Sequence, residues 1–230
     1  MSKLIYLHCL VEGRTEKHFI DEVLSPYLAN KGIYVQSSET TTSSGRIKQK
    51  GGDIRFSRIK REISIFLKQR PELYVSTFVD YYGIKEWPGT NSLPANATPS
   101  QISEILNEAA ISEMVLLEPE LRCNERYIPF LAMHEFEAFL FSVPEILERE
   151  IGASSGSAKA VLDECGTPEQ INTGIDTAPS KRIIRLANIP YHKATNGVDI
   201  ARIITIDTIR EQCPLFDAWL KRIENLTISI

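Results

Sequence analysis

The chain has 230 residues, of which 43% are hydrophobic and 24% charged, a composition typical of soluble globular proteins. It contains no apolar run of transmembrane length and nothing that resembles a signal peptide, so we expect a cytoplasmic protein without a membrane partner. The net charge of -4 excludes a simple polycationic nucleic-acid binder. Four scattered cysteines, without partners at zinc-ligand spacing, argue against a disulfide framework and a structural zinc site.

The chain opens with an almost continuous apolar stretch over residues 4–11, which is typical of a strand buried on both faces of a parallel sheet. Gly13 ends this stretch, and Thr15 is expected to cap the helix that follows. The apolar residues of that helix recur at helical spacing, at Phe19, Ile20, Val23, Leu24 and Leu28. Pro26 is expected to bend this helix or end it early.

Strand and helix patterns continue to alternate as far as residue 142. A second strand is predicted over residues 33–36, a loop over 39–53, and then a helix with its buried stripe at Phe56, Ile59, Ile63, Phe66 and Leu67. A third strand over 73–79, a helix over 100–112 and a fourth strand over 127–133 follow, with a further helix starting near His134. This order predicts an α/β fold with a mainly parallel four-stranded sheet between helices over residues 1–142. Short helical segments over residues 143–230 predict a helical C-terminal part packed on the same core.

A basic segment lies between Arg46 and Arg70, with nine basic residues and only two acidic ones, a local balance of +7. Such a patch suits a phosphate backbone, although a solvated helix face is equally consistent with it. The residues of this segment that we expect to bind nucleic acid are Arg46, Lys48, Lys50, Arg55, Arg58 and Arg61. We expect the loop over residues 40–53, with Gly51 and Gly52, to close over a bound substrate.

Acidic residues follow three of the four predicted strands, and ligands of open α/β sheets collect at this edge. These acids are Glu12 with Glu16 one helical turn later, Asp80, and Glu135 with Glu137. Carboxylates brought together repel one another unless a cation neutralises them, so their convergence predicts a divalent metal site. Ligands that are all oxygen atoms favour Mg²⁺ or Mn²⁺ over zinc.

Glu12, at the end of a buried strand and before Gly13, is the acid hardest to explain otherwise, but others have simpler interpretations. Glu16 is a first-turn acid that complements the helix dipole, and Asp80 is suited to cap a turn. The sequence does not decide whether Glu135 or Glu137 faces the site. His134 is a candidate ligand or proton shuttle, although a histidine bonded to backbone at a helix start is the alternative.

Two sets of motifs resemble known families. Val11-Glu12-Gly13-Arg14-Thr15-Glu16 resembles the first motif of the Toprim-like nucleases, which include the overcoming-lysogenization-defect nucleases. A wider set of motifs is similar to the bacterial family called domain of unknown function 4276, which belongs with the Toprim-like proteins. This set comprises residues 78–83, Trp87-Pro88-Gly89, Ile128-Pro129-Phe130, residues 134–141, Ala178-Pro179-Ser180-Lys181-Arg182 and Ala218-Trp219-Leu220.

The resemblance implies a Toprim-like fold and a Mg²⁺-dependent nuclease whose catalytic residues include Glu12, Asp80, Glu137 and Lys181. Glu12 and Glu16 match the first Toprim motif, and Asp80 matches the first acid of the Asp-x-Asp motif. Glu137 matches a glutamate at the start of the following helix. Lys181 is the candidate that neutralises the scissile phosphate, and Arg182 beside it is a candidate nucleic-acid contact. Family members are often encoded beside an AAA or ABC-type ATPase, which implies such a partner in anti-phage defence or repair.

One position departs from this pattern, because Tyr82 stands where the second acid of Asp-x-Asp belongs. This departure favours a one-metal site, or a site in which Glu135 or Glu137 substitutes for the missing acid. It also favours the alternative of a non-catalytic binding or sensor module for an ATPase. A phosphotransferase or phosphatase for small nucleotides is a third hypothesis, whereas a P-loop NTPase lacks its Gly-x-x-x-x-Gly-Lys-Ser/Thr motif. The substrate is left open between DNA and RNA. Exposed Phe216 or Trp219 would support a homodimer.

Overall fold

The computed structural model describes residues 4–40, 54–171, 174 and 176–226. These residues form six strands: β1 (Ile5–Val11), β2 (Ile33–Glu39), β3 (Ile54–Arg55), β4 (Leu73–Asp80), β5 (Ile84–Glu86) and β6 (Tyr127–Ala132). Four of them make a parallel sheet in the order β2-β1-β4-β6, and β3 pairs with β5 in a small second parallel sheet. The four predicted strands are therefore confirmed, while β3 and β5 carry no sequence pattern long enough to predict them.

Helices cover both faces of the larger sheet. The described residues contain eleven α-helices: α1 (Arg14–Phe19), α2 (Ser25–Ala29), α3 (Phe56–Gln69), α4 (Pro99–Leu117), α5 (Cys123–Arg126), α6 (Pro144–Ile151), α7 (Ser157–Cys165), α8 (Pro179–Leu186), α9 (Val198–Ile204), α10 (Ile206–Gln212) and α11 (Pro214–Glu224). Among these helices none has the length and apolar character needed to cross a lipid bilayer.

Alternate residues of the strands point to opposite layers of the core. Leu7 and Cys9 of β1 belong to a buried cluster that includes residues of α1, α2 and the C-terminal helices. Leu10 of β1 and Val75 of β4 belong to a second cluster with residues of α3 and α4. The predicted α/β fold, with a four-stranded parallel sheet between helices and a helical C-terminal part, is confirmed.

The first helix differs from its prediction in two ways. It begins at Arg14 with Gly13 at the N-cap position, so the expectation that Thr15 caps it is wrong. A π-helical turn over Ile20–Leu24 then separates α1 from α2. Pro26 lies just after this turn, and because proline has no N–H and crowds the carbonyl four residues earlier, an interruption at this point is expected.

The segment after β6 also differs from its prediction. A 3-10 helix over Phe136–Ser142 replaces the helix expected to start near His134. Glu135 has a non-helical backbone at its N-cap position. Because the backbone is not helical at Glu135, the chain continues beyond the end of β6 before the 3-10 helix that contains Glu137 begins.

Phe216 and Trp219 of α11 lie in the core, with 0% and 3% of their surface exposed. The Trp219 ring stacks on Phe130 of β6 at 4.8 Å, and its Nε1–H donates to Ser76 Oγ at 3.0 Å. The expectation that these two side chains are exposed is therefore wrong, because α11 uses them to pack against the sheet. Neither side chain is available on the surface to support a homodimer.

Candidate metal site at the carboxyl edge of the sheet

The strand register brings the carboxyl ends of β1 and β4 level. Val11 pairs with Phe78, and the N–H of Glu12 donates to the carbonyl of Phe78 at 3.3 Å. Glu12 Oε2 in turn accepts the backbone N–H of Asp80 at 3.3 Å. Two acids from distant parts of the sequence are thus neighbours at one edge of the sheet.

Gly83 makes room for Glu12. A Cβ atom at this glycine would lie 2.6 Å and 2.7 Å from the two carboxylate oxygens of Glu12, closer than real atoms approach. The backbone after Asp80 therefore passes directly against the Glu12 carboxylate. Position 83 needs glycine for this close approach rather than for an unusual backbone angle.

Glu16 lies in the first turn of α1 and points back towards the loop that precedes it. Its Oε2 would be 3.2 Å from a Cβ atom on Gly13. Burial raises the pKa of Glu16, and the nearby Glu12 carboxylate raises it further. Glu16 therefore lies within the field of Glu12, in addition to its favourable place at a helix N-terminus.

Glu135 and Glu137 both lie close enough to Asp80 to raise its pKa. Glu135 Oε2 accepts the backbone N–H of Ser180 at 3.1 Å. The Glu137 carboxylate is only 2% exposed, and its Oε1 makes no hydrogen bond within the described part of the chain. The Lys193 ammonium lies between them, with Nζ 3.4 Å from Glu135 Oε1 and 3.3 Å from Glu137 Oε1.

Lys193 is a site residue that the sequence did not indicate. It begins a π-helical turn over Lys193–Gly197, which follows a short polar stretch without helical or strand periodicity. His18 of α1 holds this turn, because its Nδ1 donates to the carbonyl of Ala194 at 3.1 Å. Only the tertiary fold brings Lys193 to Glu135 and Glu137.

The five acids influence one another's ionisation. The pKa of Asp80 is raised well above its ordinary value, first by burial and then by the other four carboxylates, Glu12, Glu16, Glu135 and Glu137. Burial also raises the pKa of Glu137 to about 7. Burial acts in the same direction on the pKa of Glu135, but Ser180 and Lys193 outweigh it and lower that pKa.

A divalent cation fits the chemistry of these donors, although the site is not tightly formed. Within the described ranges, no three His, Cys, Asp or Glu side chains lie close enough together to make a ready metal site. The donors are all carboxylate oxygens, the ligands that Mg²⁺ and Mn²⁺ prefer, and Glu137 Oε1 has an unused acceptor position. Holding a cation would require the side chains to draw closer together, and the cation would relieve their repulsion.

Tyr82 and His134 form an aromatic pair beside these acids. Tyr82 is 56% exposed, and its ring stacks on that of His134 with centroids 5.8 Å apart and planes 19° apart. Burial lowers the pKa of His134 to about 4, so the imidazole is neutral at physiological pH. Its buried Nδ1 makes no hydrogen bond within the described part of the chain, so the backbone-bonded alternative stays a prediction. The second acid of the Asp-x-Asp pattern is replaced here by an exposed aromatic surface.

The predicted basic contacts on α8 lie near the acids but in different surroundings. The helix starts beside Glu135, through the bond from Ser180, and Lys181 is exposed on it. Arg182 is 11% exposed, and its guanidinium donates to the carbonyl of Thr177 and to Glu164. Arg182 is therefore engaged within the protein, whereas Lys181 is open to a ligand.

Many charges of the basic segment lie along α3, which runs away from the carboxyl edge of the sheet, and they differ in their partners. Arg55 lies on β3, whose partner β5 follows Asp80 closely, and Arg58 and Arg61 lie in the first two turns of α3. Lys60, between Arg58 and Arg61, pairs with Glu113 at 2.9 Å, and Lys68, nearer the other end, pairs with Glu118 at 2.7 Å. Acids of α4 thus neutralise part of the charge that the sequence suggested. The loop residues Arg46, Lys48, Lys50, Gly51 and Gly52 lie outside the described residues.

Comparisons with known proteins give two findings. The model of the family described as domain of unknown function (DUF4276) matches residues 11–224. Among solved structures, the chain is similar to the C-terminal region of the Burkholderia pseudomallei OLD protein, with 17% sequence identity and a TM-score of 0.46. The similarity covers 98% of this chain and 100% of that one. No curated protein matches the sequence.

Proposed function

The chain belongs to the DUF4276 family, and from this premise we propose that it is a Mg²⁺-dependent nuclease that hydrolyses phosphodiester bonds of DNA or RNA. One observation carries the proposal. Carboxylates that follow three parallel strands gather at one sheet edge, and four of them raise the pKa of the fifth, Asp80. Carboxylates held this close together repel one another when no cation is present. Cation binding is therefore the simplest explanation for their arrangement.

The candidate ligands from which a Mg²⁺ or Mn²⁺ site would be built are Glu12, Glu16, Asp80, Glu135 and Glu137. When bound, the cation would supply Lewis-acid stabilisation of charge on a phosphodiester. Lys181 lies exposed on α8 beside this edge, where its ammonium would neutralise the scissile phosphate as a point charge. Arg55, Arg58 and Arg61 at the start of α3 would position the nucleic-acid backbone.

A cleavage assay tests this function. The protein is incubated with plasmid, single-stranded DNA and tRNA in Mg²⁺ or Mn²⁺, and the wild type is compared with Glu12→Gln. We expect cutting by the wild type and a loss on the order of 100-fold in the variant, the scale seen when one preorganised electrostatic group is removed. Cutting that persists in Glu12→Gln would contradict the proposed site.

Glu120→Gln is the matched control for this assay. Glu120 is an exposed acid next to Leu121, whose carbonyl accepts from Arg126 just before β6 begins. It therefore lies at the opposite edge of the sheet from the acidic site. The same change of charge at this edge is expected to leave cleavage unaltered.

A second candidate function is a binding or sensor module that does not cut nucleic acid. Tyr82 favours it, because an exposed tyrosine occupies the position of a metal-ligating acid. This candidate predicts cation-dependent nucleic-acid binding by the wild type, lost in Asp80→Asn, without cleavage of any substrate. The comparison of binding with cutting separates the two functions.

The proposed biological setting is defence or repair with an AAA or ABC-type ATPase. Its support is the family resemblance of the motifs from Glu12 to Leu220. Co-purification of this chain with a candidate AAA or ABC-type ATPase from the same organism tests the association. Failure of the two proteins to associate, with or without ATP and nucleic acid, would remove the ATPase from the proposal.

A further inference from the structure

The acidic crevice already contains a cation that belongs to the protein. Lys193 Nζ lies within 3.4 Å of both Glu135 and Glu137. Glu137 is 2% exposed, so water does little to offset its charge. Among the ion pairs of the described residues, those that reach Glu135 and Glu137 come from Lys193 alone.

The fold fixes the backbone of the turn that carries Lys193. Its π-helical turn is held to α1 by the hydrogen bond between His18 and Ala194. Gly197 ends the same turn, and a Cβ atom there would lie 2.8 Å from the Tyr191 hydroxyl and 3.2 Å from Phe136. Tight packing at both ends therefore fixes the backbone of the turn from which the Lys193 side chain, 41% exposed, reaches the two carboxylates.

The acids fall into two groups by their contacts. Glu135 and Glu137 share the Lys193 ammonium, and Glu135 also accepts a backbone N–H. Asp80 and Glu16 make no ion pair within the described part of the chain; Asp80 ends β4, and Glu16 lies in α1, where the charge of Lys193 partly offsets the rise in its pKa. Tyr82 occupies the place where another acid would extend this second group.

We propose that Lys193 fills the second cation position of the crevice, so that the protein binds a single divalent cation at Asp80 and Glu16 with Glu12. This inference rests on the proposed function. Paired metal ions in phosphodiester-cleaving sites lie roughly 3.5–4 Å apart and share their carboxylates, so an ammonium between two of those carboxylates repels a second ion. Lys193 supplies one positive charge at this position. A second metal ion would have to lose part of its hydration shell to supply the same charge.

Counting bound Mn²⁺ tests the inference independently of activity. The number of ions per chain is measured by titration calorimetry and by the signal of free Mn²⁺ in electron paramagnetic resonance. We expect one ion in the wild type and two in Lys193→Met, in which the ammonium is gone. Lys193→Arg keeps the charge and is expected to bind one. Lys159→Met, which removes an exposed lysine paired with Asp163, is the control and is also expected to bind one.

The outcomes separate this inference from the proposed function. Two ions in the wild type would overturn the inference, even if Lys193→Met fails to fold. One ion in the wild type and one in a folded Lys193→Met would also overturn it, while the single-cation site stands. A wild type that takes up no Mn²⁺ would overturn the proposed function together with the inference.

Discussion

The backbone N–H of Asp80 donates a hydrogen bond to Oε2 of Glu12, 3.3 Å away and 68 positions earlier in the chain. The bond crosses between the ends of two neighbouring parallel strands, so the sheet itself places the two acids together. Their mutual repulsion is part of the cost of folding without a cation. A bound cation would remove that repulsion, and its effect on stability can be measured.

The first prediction concerns Asp80→Asn. Because Asp80 feels four neighbouring carboxylates, its neutralisation is expected to raise the stability of the cation-free protein, by on the order of 1 kcal/mol. Mg²⁺ at about 100 times its Kd stabilises the wild type by about 2.7 kcal/mol, which is roughly 5–11 °C in Tm for a chain of this size. Thermal unfolding with and without Mg²⁺ measures both effects. The same Mg²⁺ shift in wild type and variant would contradict the assignment of Asp80, and Glu120→Gln should retain the full shift.

The second prediction concerns Gly83→Ala. The new methyl group would collide with the carboxylate of Glu12, which is the mobile end of a long side chain. We therefore expect Glu12 to move, with a loss of Mn²⁺ affinity of about tenfold or more but a stability change below about 1 kcal/mol. Calorimetric titration and chemical denaturation measure the two quantities. Unchanged affinity would show that the close approach at Gly83 does not position a ligand.

Much of the fold could be predicted because its strands are strongly apolar. β1 and β4 are buried on both faces, and such strands are recognisable without knowledge of their neighbours. The order of strands and helices then restricts the sheet to a parallel arrangement, which implies that Glu12 and Asp80 lie at one edge. The candidate acids thus follow from local pattern and a general topological rule.

The remaining features depend on contacts that no local pattern encodes. Lys193 reaches Glu137 only because its turn docks on α1, and Glu169 caps α11 from a distant turn. The sequence pattern of an amphipathic helix shows which residues share a face, but not which element covers that face. The burial of Phe216 therefore cannot be read from its own helix. The neutralisation of Lys68 by Glu118 likewise needs α3 and α4 side by side.

The third prediction uses Glu169, whose carboxylate caps α11. Its two carboxylate oxygens accept the N–H groups of Leu215 and Phe216 at 2.9 Å each, at the start of α11. Burial nevertheless raises the pKa of Glu169 to about 7 from 4.5. The folded protein therefore keeps a proton that the unfolded chain releases near pH 4.5.

The sign of the pH effect follows from that difference. Between about pH 4.5 and 7 the unfolded state binds fewer protons at Glu169, so the free energy of unfolding falls as pH rises and levels off above 7. The fall is at most about 3 kcal/mol. Glu169→Gln cannot ionise, so urea denaturation across this range should show that the variant lacks this part of the fall. Identical pH profiles for the two proteins would contradict the raised pKa.

The fourth prediction concerns Arg55 and Arg58 near the carboxyl edge. With both charges reversed, we expect a shallower slope of log binding constant against log salt concentration for duplex binding. The slope should change by about 0.9 for each phosphate that the protein no longer neutralises, and so by up to about 1.8. Reversal of Lys68 and Arg70, at the far end of α3, is the matched control and should leave the slope nearly unchanged. Nucleic-acid binding measured over a range of salt concentrations makes the comparison. Equal effects from both pairs would indicate nonspecific attraction to the whole helix.

The most direct test of the central claim is a crystal of the protein soaked with Mn²⁺ and measured for anomalous scattering. We predict an anomalous peak bounded by carboxylate oxygens of Asp80 and Glu12, at the carboxyl edge of β1 and β4. A peak elsewhere on the surface, or well-ordered carboxylates with no peak between them, would contradict the account.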